Sequence, residues 1–110
     1  MKKIRIKENS WLAWLGAKCI RVNRVALTFG NTIHLHNATK QQLLENKVWL
    51  CHEIVHVKQY EKLGVLRFVI FYLWECIKKG YYNNKFEIEA RENENKLDLL
   101  LDYTISEDIT

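Results

Sequence analysis

The chain has 110 residues, a net charge of +4, 48% hydrophobic residues and no proline, which suits one hydrophobic core and is too short for two. Three cysteines, an odd number, argue against a disulfide framework, and thirteen large aromatics supply enough apolar surface to close a core without one (four Trp, five Tyr, four Phe). The Lys and Arg residues are scattered among acids rather than gathered with aromatics into a stripe, so the charge reads as a solvated surface and not as a nucleic-acid platform.

The beginning is basic, but Lys7, Glu8, Asn9, Ser10 and Lys18 interrupt its apolar part, which is unlike a signal peptide. That reading and the unpaired cysteine count favour the cytoplasm. Ile4 and Ile6 alternate with basic residues over positions 2 to 7 and predict a strand. Ser10 can cap a short helix in which Trp11, Trp14, Leu15 and Lys18 recur at helical spacing, an aromatic face expected in the core. Residues 22 to 29 and 32 to 36 are β-prone runs joined by Gly30 and Asn31, the two-residue connection of a hairpin, with the second run as an edge strand.

From Thr39 the period becomes helical. Thr39 and Gln42 have capping-box spacing, and helix formers continue to Leu63 before Gly64. Residues 65 to 79 are apolar on most of their circumference and predict the helix most enclosed by the others. Their apolar run, broken by Arg67 and Glu75, is too short to cross a bilayer. A third long helix is expected from Lys85 to about Tyr103, followed by a short polar tail, residues 104 to 110. These elements predict one α+β domain over residues 1 to 110, a small, mostly antiparallel sheet packed on three long helices.

The informative segment is His52-Glu53-Ile54-Val55-His56, inside the first long helix. On a helix, positions i and i+4 are about 40° apart in projection and about 6 Å apart along the axis, so both imidazoles reach one zinc ion. Glu53 lies beside the metal rather than on it, placed to act as general base towards a metal-bound water that attacks a carbonyl. Apolar neighbours, Trp49, Leu50, Ile54, Val55 and Val57, predict partial burial, where two adjacent histidines need a purpose. A catalytic zinc normally takes three protein ligands. No histidine follows His56, so the candidates for the third are carboxylates, and residues 86 to 92 offer Glu87 and Glu89, about 200° apart on a helix. Cys51 adjoins His52, but its helical position turns the thiol from the metal and predicts a buried core residue.

These motifs resemble the gluzincins, zinc peptidases with HExxH on one helix and a glutamate ligand on a later one. In size and element order the chain is most similar to the minigluzincins, from the first strands to the third long helix. The resemblance implies a zinc peptidase acting on peptide or protein substrates. It favours Glu87 over Glu89 as third ligand, because gluzincin ligand glutamates often begin a Glu-x-x-x-Asp or Glu-x-x-Ala-Asp pattern. Here Arg91 stands where the acid usually does, so the hydrogen bond that orients a zinc histidine must come from elsewhere.

Gluzincins bind extended peptides along an edge strand, which makes His34 and His36 candidate substrate contacts, while Tyr81 and Tyr82 are candidates to hold the oxyanion of a tetrahedral intermediate. Minigluzincins are latent forms whose C-terminal segment lies in the cleft. Residues 104 to 110 span about 23 Å when extended, enough to return along an edge strand, with Ile105 and Ile109 in pockets and Glu107 or Asp108 near the zinc. Two other readings remain from the sequence, a zincin-like domain that binds metal without hydrolysis, and a basic helical module for nucleic acid or an acidic membrane surface.

Overall fold

The structure is a computed structural model that describes residues 2 to 105. Its elements in order are β1 (Lys2–Lys7), α1 (Trp11–Ile20), β2 (Val25–Phe29), β3 (Thr32–His36), α2 (Lys40–Glu45), α3 (Lys47–Leu63), α4 (Val65–Lys79), α5 (Lys85–Asn93), a 3-10 turn (Leu97–Asp102) and β4 (Tyr103–Ile105).

The expected α+β class is present, with a mixed four-stranded sheet in the order β2-β3-β1-β4. β2 and β3 form the antiparallel hairpin that Gly30 and Asn31 announce, Phe29 pairing with Thr32. β1 runs parallel to both of its neighbours, Ile6 against Ile33 of β3 and Lys3 against Thr104 of β4. The sheet is therefore not mostly antiparallel. Two of its three pairings are parallel because β1 sits between the hairpin and a strand from the far end of the described chain. Residues 32 to 36 form an inner strand, and β2 is the edge on the helical side of the site.

α3 packs across one face of the sheet. Ile4, Ile33, Leu35, Leu43, Leu50, Ile54, Val57 and Tyr103 form the main core, with no more than 7% of any of them exposed. α1 covers the other face beside β2 and β3, held by Ala13 and Ala17. At Gly16 an added Cβ would meet Leu27 Cδ1 at 2.8 Å, so that helix approaches the sheet closely. The aromatic face of α1 is not in the core, since Trp11, Trp14 and Leu15 are exposed.

Three further differences from the sequence expectations have local causes. The helix expected from Thr39 to Leu63 is two helices, because Asn46 leaves the helical conformation (φ −97°, ψ 90°) and its side chain accepts from Trp49 N to cap α3. The capping box of Thr39 and Gln42 is present at the start of α2. The third long helix stops at Asn93. Beyond it, Leu99 and Leu100 of the 3-10 turn pack on the main core and direct Tyr103 and Ile105 to β1. Thr104 and Ile105, expected in the tail, thus belong to β4, and the rest of the tail, with Ile109, Glu107 and Asp108, lies outside the described residues.

The third difference concerns α4, which is among the least enclosed helices instead of the most. It buries Phe68 and Glu75 and leaves Leu66, Ile70, Leu73, Trp74 and Ile77 exposed. Its inner side joins a second core in which Phe68 meets Tyr60 of α3 and Phe86 of α5, with ring centroids 4.1 and 4.9 Å apart. Among the described residues no helix is long and apolar enough to cross a membrane.

Candidate metal centre

The centre forms where α5 crosses α3. On α3, His52, His56 and Gln59 recur at helical spacing on one side, with Glu53 adjacent; Glu53, His56 and Gln59 are buried. α5 is capped by Asn84, wholly buried, whose side chain accepts from Phe86 N at 2.8 Å and donates to Tyr72 O at 3.0 Å. Glu75 of α4 adds a second anchor by accepting from Lys85 N at 3.1 Å. These bonds fix the first turn of α5, which carries Glu87 into the space between the two histidines.

Glu87 Oε1 lies 3.0 Å from His52 Nε2 and 3.2 Å from His56 Nε2. One ligand atom from each of the three residues lies within 4.8 Å of the others. The opposite nitrogens are engaged elsewhere: His52 Nδ1 is 2.8 Å from Glu94 Oε2 and His56 Nδ1 is 2.8 Å from Gln59 Oε1. Both rings are thereby oriented with Nε2 towards Glu87. Two imidazole nitrogens and one carboxylate oxygen converging in this way match the donor set of a three-ligand zinc site.

Glu89 is turned away and accepts from Gln59 Nε2 at 2.6 Å. Tyr72 completes the arrangement by donating to Glu87 Oε2 at 2.6 Å.

The charges in this cluster support one another. Burial opposes the charged form of His52, but hydrogen bonds to Glu87 and Glu94 and the charge of Glu53 raise its pKa from 6.5 to about 9. His56 is raised by the same contest between burial and Glu87. Glu87 is held well below the usual carboxylate range, its burial outweighed by bonds from His52, His56 and Tyr72. Burial also raises the Tyr72 phenol strongly, with the Glu87 charge adding to it, so this hydroxyl remains a donor.

Glu53 sits apart from the triad. Its Oε1 accepts from Thr28 Oγ1 on β2 at 2.9 Å. Burial pushes its pKa up, opposed by positive charge on His56 and His52. With His56 and Glu87 it borders a cavity of about 560 Å³ bounded by α1, β2 and α4. A smaller hollow of about 370 Å³ lies towards His52, with Arg24, Trp49 and Glu94 in its wall. Glu53 and Tyr81 line both.

Of the other residues singled out in the sequence, Tyr81 borders both spaces, but Tyr82 is exposed and takes the Arg91 guanidinium on its carbonyl and over its ring, centroid distance 4.1 Å. Arg91 is therefore occupied away from the histidines. His34 and His36 alternate with core residues Ile33 and Leu35, so they face the α1 side of the sheet, and neither borders the two hollows. His34 Nδ1 lies 2.8 Å from Ser10 Oγ, and burial with the Lys7 charge lowers its pKa. Cys51 is buried, its sulfur 3.4 Å from the carbonyls of Asn93 and Lys96. Sequence reasoning missed Thr28, Gln59, Tyr72 and Glu94. Gln59 follows His56 by three positions and Glu94 follows Glu87 by seven, both same-face helical spacings, so a search by period had a signal for these two.

Fold and site together define a small α+β domain with a candidate two-histidine, one-glutamate metal centre. The chain belongs to the eCIS core domain family, whose model matches residues 2–64. The match runs from β1 to the end of α3 and includes His52, Glu53 and His56, while Glu87, Glu94 and all of α4 lie beyond it. No curated protein and no solved structure matches the chain.

Proposed function

We propose that this chain is a zinc-dependent peptidase of the gluzincin type, organised like the minigluzincins. The observation that carries the reading is the position of Glu53, a buried carboxylate outside the ligand triad, held by Thr28 and facing a cavity large enough for part of a substrate. A purely structural site has no need of a base beside the metal or of space in front of it.

His52 Nε2, His56 Nε2 and a Glu87 oxygen would hold the ion. Zinc, when bound, supplies Lewis acidity, polarising a carbonyl and making water more acidic. Glu53 accepts the proton of the attacking water and returns it to the leaving amine. Tyr81, which borders both hollows, would be the donor to an oxyanion. β2 takes the part assigned from sequence to residues 32 to 36, because it is the outer strand and all five of its residues border the larger cavity. An extended peptide can pair along it.

The test combines metal content with hydrolysis of an unstructured protein. His52→Ala, His56→Ala and Glu87→Ala are expected to lose zinc, whereas Glu89→Ala retains it. Glu53→Gln should retain zinc and lose about 10²-fold or more in hydrolysis, the range for removal of an acid–base group. Undiminished hydrolysis by zinc-loaded Glu53→Gln would sink the mechanism, and a zinc-loaded wild-type protein that cleaves nothing would leave a metal-binding domain.

A further inference from the structure

α4 turns outward most of the apolar surface that a helix of its composition normally buries. Leu66, Ile70, Leu73, Trp74 and Ile77 fall within an arc of about 100°, and Leu66 and Ile77 are 73% and 79% exposed. On α1, Trp11, Trp14 and Leu15 are exposed as well. Both helices border the larger cavity, α1 through Leu12 and Gly16 and α4 through Val69 and Leu73. Leu73 belongs to the cavity wall and to the exposed stripe at once, so apolar surface continues outward from the cavity mouth. Surface of this kind on a small domain marks an interaction site.

Charge decides what fits it. The two helices carry four basic residues, Lys18, Arg67, Lys78 and Lys79, all exposed, and one acid, Glu75, which is buried against Lys85 N and paired with Lys79. Lys18 and Lys78 place their ammonium groups 5.6 and 5.7 Å from the ring centres of Trp14 and Trp74. Arg67 and Lys78 are eleven positions apart, which puts them within about 20° of each other along one flank of the stripe. A second copy packed antiparallel on this stripe would bring Arg67 against Lys78, with no exposed carboxylate on either helix to offset them. The complementary surface is apolar and anionic. A lipid headgroup region has both properties, and Trp rings with adjacent Lys residues match its depth profile.

We infer that α1 and α4 dock this protein on an anionic membrane surface, α4 lying in the plane of the interface with its stripe towards the acyl chains and the cavity mouth at the lipid boundary. At about 22 Å long, α4 lies in that boundary and does not cross it. This inference is independent of the metal.

The full chain should cosediment with vesicles of phosphatidylcholine and phosphatidylglycerol, with a blue shift of tryptophan emission, and dissociate as salt is raised. The double variant Leu66→Glu, Ile77→Glu should weaken binding at least about tenfold, with helical content and zinc content unchanged, because neither side chain packs in a core. Arg67→Glu with Lys78→Glu should abolish the preference for phosphatidylglycerol. The inference is overturned if the wild-type chain ignores these vesicles, whether or not it binds an acidic amphipathic peptide. It is equally overturned if the chain binds pure phosphatidylcholine as well, if Leu66→Glu, Ile77→Glu leaves binding unchanged, or if sedimentation shows a dimer that the same variant dissociates.

Discussion

Glu94 and Arg91 lie one helical turn apart, and only Glu94 reaches His52, while Arg91 is held at Tyr82. The sequence has Arg91 where an orienting acid is expected, yet His52 Nδ1 has its carboxylate from Glu94, just past the end of α5. Cys51 anchors the chain on either side of Glu94 through the carbonyls of Asn93 and Lys96. Partners of this kind are worth about 10- to 100-fold in metal affinity. Glu94→Ala and Gln59→Ala should each weaken zinc binding within that range in a competition titration, and Arg91→Ala should leave it unchanged. An equal effect of all three would mean that the loss comes from general destabilisation.

The pKa of His52 gives a second residue-level prediction. In zinc-free protein it is raised from 6.5 to about 9, so the folded state holds this proton more tightly than the unfolded chain. The linked stability is fully present below about pH 6.5 and is lost as pH rises through about 9. Zinc requires the neutral ring, so its affinity should rise with pH across the same window. Thermal melts of chelator-treated protein and zinc titrations between these pH values should therefore move in opposite directions. Parallel trends would refute the coupling.

At the scale of elements, the parts legible in the sequence were those encoded by neighbouring residues. Ser10 as a cap, the capping box of Thr39, the Gly30-Asn31 turn and the helical spacing of His52 and His56 each depend on a few adjacent positions. Parts fixed by distant partners were not legible. Residues 97 to 105 continue a helical apolar pattern, but Leu99 and Leu100 pack on the main core beside α3 and Ile105 pairs with Ile4 of β1, and tertiary packing overrides the period. The apolar circumference of α4 read as burial, because the period of a helix does not say how much of it neighbouring elements will cover.

Asn84 illustrates an element's dependence on one side chain. It caps α5, ties it to α4 through Tyr72 O, and reaches Cys76 Sγ at 3.2 Å. Asn84→Ala removes the cap and a buried donor together, a cost of about 2–3 kcal/mol. The melting temperature should fall by about 10 °C or more. Asn84→Asp keeps the cap acceptor but sets a buried carboxylate oxygen against Tyr72 O, so its melting temperature should fall as well. If both variants melt like the wild-type protein, α5 is held by its aromatic contacts alone.

For the whole molecule, β4 separates two questions that the sequence joined in one tail. A chain ending at Asp102 loses Tyr103, which is buried and donates to Glu61 at 2.9 Å, together with the β1 pairing, and should be markedly less stable. A chain ending at Ile105 keeps the strand. Latency predicts that this second variant hydrolyses an unstructured protein faster than the full chain at equal zinc content, and equal rates would exclude it.

The position of β1 between β3 and β4 also sets the order in which the protein can be completed. β3 is available within the first 36 residues, but the other edge of β1 waits for residues 103 to 105, and Lys2 pairs with Tyr103. Pairing across such a sequence separation pays its loop-closure entropy late and slows folding. During synthesis the two histidines emerge before Glu87, and Glu87 before β4. A nascent chain therefore carries the pair of imidazoles well before it has either Glu87 or a closed sheet. Ribosomal timing keeps the centre incomplete until nearly the whole described domain has been made.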